Sequence, residues 1–167
     1  MNVLLHTTTG IGIVVLLTNI KKIERSKYPI VTCVCVCIAG ILSHGILDTI
    51  PHCYPIPSKL DVLLGLFMIL IASWFSNKKY RLIVLSSFIG CIIPDLIDLS
   101  PAIINKQLGW NLPILDKIFP WHYKEYSGSI YSGNCNISTI NHILLLTIIS
   151  GICWYKPVTM KTIFNNR

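Results

Sequence analysis

Five stretches of apolar residues, separated by short polar segments, dominate the pattern of this chain. They cover residues 3–20, 30–50, 60–76, 82–99 and 141–155. An α-helix rises about 1.5 Å per residue and a bilayer's hydrocarbon core is about 30 Å thick, so about 20 apolar residues can span it. The pattern predicts an all-α, polytopic membrane protein. We expect about five transmembrane helices in one bundle, forming a single integral membrane domain over residues 1–167.

Composition and charge support this class. The chain is 53% hydrophobic and 13% charged, whereas a soluble domain carries about 25% charged residues. Its formal net charge of +7 does not indicate nucleic-acid binding, because the cations interrupt the apolar runs and do not form a separate basic face. Membrane lipid is therefore the expected partner, and nucleic acid is not.

The cations also predict an orientation. They follow the first, third and fifth apolar stretches, which are alternate connections: Lys21, Lys22, Arg25 and Lys27; Lys78, Lys79 and Arg81; Lys156, Lys161 and Arg167. Under the positive-inside rule, the N-terminus lies outside and the C-terminus in the cytoplasm of a bacterial inner membrane. A cleaved signal peptide is the alternative for the first stretch. The basic n-region and the cleavage site of such a peptide are missing, which favours an uncleaved anchor.

Residues 100–140 form a long outward loop without clear periodicity. The segment is rich in Pro, Gly, Asn, Ser and aromatic residues, and we expect a lid or re-entrant element there. Cys53 and Cys135 fall in outward loops, so geometry allows a disulfide between them. His122 is left open between an interfacial side chain and a site member.

Four ionisable residues interrupt the apolar stretches at one depth. Measured along each helix from its basic end, His6, His44, Asp95 and His142 lie about 21 to 23 Å away. An ionisable side chain at such a depth costs free energy unless it faces a partner, a cavity or an ion. The shared depth predicts a functional site near the outer ends of the helices.

The spacing of these residues favours a metal. His44 and Asp48 are four residues apart and share one helix face. Pro51 should end that helix and place His52 over the mouth of the site. Asp95 and Asp98 share one side of a turn, so either one of them is protonated or a metal ion or a protonated histidine lies between them.

Imidazole nitrogen and carboxylate oxygen suit a divalent metal, with Zn²⁺ first. The predicted ligands are His6, His44, Asp48, His52 and Asp95. Asp98 and His142 are the predicted catalytic residues, as proton acceptor or further ligand. Asp61 is left open between a helix N-terminal charge and a partner for a ligating histidine. The simpler alternative is a His44–Asp48 pair that only neutralises itself.

Taken in order, these motifs resemble the membrane-bound metal-dependent hydrolase family, the YdjM-like inner-membrane proteins. The resemblance lies in His6, in Ser43 to His52 (S-H-x-x-L-D-x-x-P-H), in Gly90 to Asp98 (G-x-x-x-P-D-x-x-D), and in His142. The family's P-D-x-D-H form appears here without its adjacent histidine, and its H-R-x-x-T-H-S stretch is reduced to His142. The resemblance implies a small multi-pass protein with a metal centre.

The function expected from residues and resemblance together is metal-dependent hydrolysis. The substrate would be a lipid-like or headgroup ester or phosphoester at the outer leaflet. The alternatives are an ion or proton carrier and a purely structural membrane subunit. A carrier needs polar residues that continue to the cytoplasmic side, and the inner halves of the stretches offer almost none, which favours a one-sided site.

Overall fold

The computed structural model describes residues 2–25, 29–131 and 133–165; Lys27 and Arg167 of the predicted inner cations fall outside them. The described part is helical, with no strand beyond one isolated pairing of His52 with Ser129. The helices are α1 (Val3–Leu17), α2 (Ile20–Glu24), α3 (Ile30–Thr49), α4 (Ser58–Phe75), α5 (Arg81–Asp98), α6 (Ser100–Leu108), a 3₁₀ helix (Pro120–His122), α7 (Asn136–Tyr155) and α8 (Pro157–Ile163). The all-helical expectation is confirmed.

Three helices are long and apolar enough to cross a membrane. They are α3, α4 and α7, and α5 with α6 makes a fourth if this pair, bent by 63°, is one span. α1 has 15 residues, about 22 Å of helix, so it is shorter than the predicted first stretch. It ends at Leu17 because Thr18 is extended and the Asn19 side chain accepts a hydrogen bond from Lys22 N at the start of α2.

Large apolar side chains point away from the protein interior along these helices. Trp154 in α7 is 88% exposed, Leu70 in α4 is 68% exposed, and Val31 in α3 is 66% exposed. A water-soluble monomer rarely exposes continuous apolar surface of this kind. The surface is one that lipid can cover.

Small residues bring α3 and α5 into close contact. A Cβ atom at Gly40 would lie 2.8 Å from the backbone nitrogen of Cys91, so a larger residue there would push the two helices apart. On the facing helix, Gly90 lies against the backbone of Cys37. This close crossing fixes His44 of α3 opposite the carboxyl half of α5, where Asp95 lies.

The connections between helices collect at two ends. At one end, Lys79 donates to the Glu24 carbonyl, Asn77 N donates to Ile163 O, and Lys156 Nζ donates to Leu16 O. An apolar core fills the space above this end: Val14, Ile23, Val36, Tyr80, Ile83, Val84, Phe88 and Ile163. The three basic segments therefore share one end of the bundle.

The long loop lies at the other end and is held in place. Cys53 and Cys135 form a disulfide, a pairing that the sequence only allowed. Gly128 N donates to Asp48 O at 2.8 Å, and His52 N donates to Gly128 O at 2.9 Å. The carboxyl end of α7 follows the prediction, but its amino end begins at Asn136, close to the disulfide, five residues before the predicted start. These contacts carry the 3₁₀ helix over the end of α3.

Candidate metal centre

Four side chains from three segments meet at the carboxyl ends of α3 and α5. His44 and Asp48 come from α3, Asp95 comes from α5, and His122 comes from the 3₁₀ helix. One nitrogen or oxygen atom of each lies within 4.8 Å of the others, a grouping that can hold a metal ion. We refer to these four residues as the His/Asp cluster.

Five distances that involve the two histidines of the His/Asp cluster fall between 3.2 and 3.4 Å. His44 Nε2 lies 3.2 Å from Asp48 Oδ2, 3.4 Å from Asp95 Oδ1 and 3.4 Å from His122 Nε2. His122 Nε2 lies 3.4 Å from Asp48 Oδ2 and 3.3 Å from Asp95 Oδ1. Four ligands about 2.0–2.1 Å from a tetrahedral ion are about 3.3–3.4 Å apart. The five distances made by the histidines match this spacing, and the two carboxylate oxygens lie within 4.8 Å of each other.

Both histidines of the cluster present the nitrogen that a metal needs. His44 Nδ1 lies 2.6 Å from the Cys91 carbonyl oxygen, and His122 Nδ1 lies 2.8 Å from Asp98 Oδ2. A carbonyl and a carboxylate only accept, so each Nδ1 donates its proton to them. In the neutral form of each ring, Nε2 then carries the lone pair that faces the cluster, as in histidine ligands oriented by an outer acceptor.

Asp98 holds the 3₁₀ helix as well as His122. Its carboxylate accepts hydrogen bonds from Ile118 N and Phe119 N, both at 2.9 Å, in addition to the bond from His122 Nδ1. Lys117 Nζ also donates to the carbonyl of His122. Three donors therefore occupy Asp98, which positions His122 towards the cluster.

His6 lies behind Asp48. Its Nε2 is 3.1 Å from Asp48 Oδ1, whereas His44 and His122 contact Oδ2, and its ring stacks on His44 with centroids 3.9 Å apart. It is not one of the four grouped ligands. The structure therefore places this predicted ligand as a donor to a ligand.

Two other predicted site residues make their contacts elsewhere. His52 is buried, with Nδ1 donating to Ile50 O at 2.8 Å and Nε2 lying 3.0 Å from the Tyr54 hydroxyl and 3.2 Å from the Ser129 hydroxyl. Burial lowers the pKa of His52. His142 Nε2 lies 3.5 Å from Ser138 Oγ on its own helix. Neither histidine is among the grouped ligands of the described residues.

His122, Trp121 and the Cys91 carbonyl are the parts of the site that the sequence did not assign. Trp121 covers one side of the cluster, where its ring packs directly on Gly45. A Cβ atom at Gly45 would lie only 2.6 Å from the nearest ring atom. Asp61, which the sequence left open, caps α1 by accepting from Val3 N and Leu4 N at 2.7 and 3.1 Å. The aromatic sequence Trp121-His122-Tyr123 was the one local signal for Trp121 and His122.

The electrostatics of the cluster agree with a bound cation. Burial by itself lowers the pKa of His122, but hydrogen bonds to Asp48, Asp95 and Asp98 raise it to about 9. If His44 and His122 were both protonated, two N–H groups would face each other across the 3.4 Å between their Nε2 atoms. One divalent ion removes that conflict and balances the two carboxylates. The residues present fit the metal that the resemblance implies.

Comparison of the chain with family models, with curated proteins and with solved structures finds no match. The resemblance to the YdjM-like family therefore stays a prediction from motifs. The geometry of the site carries the functional argument.

Proposed function

We propose that the protein is a membrane-embedded, zinc-dependent hydrolase whose ligands are the four residues of the His/Asp cluster. The observation that carries the proposal is the set of 3.2–3.4 Å distances that the two histidine Nε2 atoms make with the carboxylates and with each other. The Nδ1–H group of each histidine donates to an acceptor outside the cluster. A donor set of nitrogen and oxygen without cysteine is typical of catalytic zinc, and hydrolysis would require a position for water in addition to the four protein ligands. We also propose that the chain belongs to the YdjM-like family that its motifs resemble.

The chain's own residues would prepare the site for hydrolysis. Cys91 O and Asp98 hold the two histidines, and His6 Nε2 donates to Asp48 Oδ1, which fixes the position of that carboxylate. Trp121 keeps water away from one side. A bound zinc ion would act as a Lewis acid and would lower the pKa of a bound water. Hydrolysis of an ester or a phosphoester needs both effects.

The location of the site supports a lipid-like substrate. Apolar helices surround it, the loop disulfide lies at the same end, and the basic segments lie at the opposite end. Disulfides persist in oxidising compartments, and basic loops stay in the cytoplasm. We therefore propose a bacterial inner-membrane location, with five helices crossing or entering the bilayer and the site towards the outer leaflet.

An ion or proton carrier fits the structure less well. The space between the cluster and the basic end is filled by the apolar core, which includes Val14, Val36 and Phe88, all at most 1% exposed. A relay across the membrane needs ionisable groups along its path. The site is therefore proposed to work from one side.

Metal analysis of the protein, purified without chelator, tests the proposal. Wild type should contain about one zinc per chain, and Asp95→Asn and His122→Ala should each lower the zinc content, because each variant removes one of the four ligands. His142→Ala is the matched control and should keep the metal. If Asp95→Asn and His122→Ala both retain full zinc, or if wild type has none, the cluster is a structural network of ion pairs.

Activity gives the second half of the test. Zinc-loaded wild type in phospholipid vesicles should release product from an ester or phosphoester lipid, and Asp95→Asn should reduce the rate by at least about a hundredfold. A metal centre that stays inactive against both bond types would contradict the hydrolase and leave a metal-binding membrane protein.

A further inference from the structure

A cavity of about 400 Å³ lies beside the His/Asp cluster, between α1, α4, α5 and α6. Three carboxylate residues form part of its wall: Asp48 and Asp95 of the cluster, and Asp61, which caps α1. Most of the remaining lining is aliphatic, including Val62, Leu66, Ile69, Ile92, Ile103 and Ile104. The volume is within the range of about 300–1,000 Å³ that ligand pockets occupy. Two ligands of the proposed metal centre thus face an apolar compartment.

The cavity reaches the most accessible member of the cluster. The side chain of Asp95 is 22% exposed, whereas those of His44, Asp48 and His122 are 0%, 9% and 3% exposed. On another side, Trp121 and the 3₁₀ helix cover His44. A molecule that approaches Asp95 through this cavity must therefore pass along aliphatic walls.

The aliphatic lining continues onto the outer surface of the helices. Leu66 of α4, Leu96 of α5 and Ile103 of α6 all line the cavity, and they are 47%, 53% and 52% exposed. In a bilayer these residues would contact lipid. A hydrocarbon chain could then move from the bilayer into the cavity without contacting water, and at little cost because lipid tails and aliphatic side chains are similarly apolar.

We propose that this cavity binds the hydrocarbon chain of an amphiphile, which comes sideways from the bilayer and places its ester or phosphoester at the His/Asp cluster. The inference rests on the proposed function and names the part of the molecule that selects the substrate. A water-soluble ester or phosphoester without a chain would leave the aliphatic cavity unfilled. The chain is therefore the feature that distinguishes a substrate from other esters.

Photolabelling tests the chain site without turnover. The probe is a lysophosphatidylglycerol with a diazirine near the end of its chain, in phosphatidylcholine vesicles that contain the protein. We expect labelling on peptides of α4 and α6 that line the cavity. Excess unlabelled lysophosphatidylglycerol should compete with the probe, whereas glycerophosphoglycerol, which has no chain, should not.

A matched pair of variants locates the site. Leu66→Trp fills the cavity and should lower the competed labelling by about fivefold or more. Leu70→Trp places the same side chain one helical turn away, at a residue 68% exposed and outside the cavity, and should stay within about twofold of wild type. Equal zinc content in both variants shows that the cluster is intact.

The outcomes separate the chain site from the metal centre. Labelling in Leu66→Trp equal to wild type, labels spread evenly over α3 and α7, or competition by glycerophosphoglycerol would each overturn the chain site. If wild type holds no zinc, the proposed hydrolase fails, yet competed labelling that Leu66→Trp removes would still support binding of a hydrocarbon chain in this cavity.

Discussion

At the scale of single residues, the site depends on pairs in which one side chain positions another. Asp98 accepts from His122 Nδ1, and the Cys91 carbonyl accepts from His44 Nδ1. These acceptors fix which nitrogen carries the proton and therefore which nitrogen can bind a metal. Groups of this kind are expected to matter nearly as much as the ligands themselves.

The first prediction at this scale concerns Asp98. Asp98→Asn keeps the size of the side chain but replaces one acceptor oxygen with an N–H₂ donor, so His122 loses its orienting carboxylate. Zinc affinity, measured by competition with a chromophoric chelator, should fall by about 10- to 100-fold. Asp116→Asn, at an exposed carboxylate in the same loop, is the control and should bind as wild type does. Unchanged affinity in Asp98→Asn would mean that Asp98 only holds the loop.

Residue spacing explains which part of the site could be predicted. Helical geometry places His44 and Asp48 on one face, and the common depth of His6, His44 and Asp95 brought them to one level; the structure brings these four side chains together. Depth, however, fixes a position along a helix and not the direction in which the side chain points. His142 shares that depth, yet its ring lies beside Ser138.

Among the helices, α3, α4 and α5 follow the hydrophobic pattern, whereas the predicted loop over residues 100–140 contains α6, the 3₁₀ helix and the start of α7. α3, α4 and α5 begin and end within about two residues of the predicted stretches, because an apolar run and its polar flanks determine where a helix can be buried. α1 is shorter, since Asn19 starts a new helix.

His122 could not be assigned because it comes from the segment without periodicity. Its position depends on the backbone path of residues 109–119 and on the bonds from Ile118 N and Phe119 N to Asp98, which are 20 and 21 residues apart in sequence. No local spacing encodes such contacts. A lid or a re-entrant element was expected here: the 3₁₀ helix with Trp121 and His122 covers the cluster, and α6 follows α5 after a bend of 63°.

At the scale of the whole molecule, the two ends of the bundle differ in chemistry. One end collects basic segments over an apolar core, and the other holds the disulfide, the loop and the His/Asp cluster. This asymmetry is the one expected if the basic end faces a reducing cytoplasm and the disulfide end faces an oxidising compartment.

Orientation is the prediction at this scale. A cysteine introduced at the exposed Lys124 should react with a membrane-impermeant maleimide in intact bacteria, whereas one introduced at the exposed Lys78 should react only after permeabilisation. Wild type, with its own free cysteines in the apolar helices, gives the background. The reverse pattern would place the loop and the site in the cytoplasm.

The most direct test of the central claim is zinc X-ray absorption spectroscopy on wild-type protein in lipid. We expect four or five nitrogen or oxygen ligands near 2.0 Å, with the scattering of two imidazole rings from His44 and His122. The His6→Ala variant should keep both imidazole contributions, because His6 contacts Asp48 and is outside the four ligands. A sulfur shell near 2.3 Å, or loss of an imidazole in His6→Ala, would contradict the assignment of the four ligands.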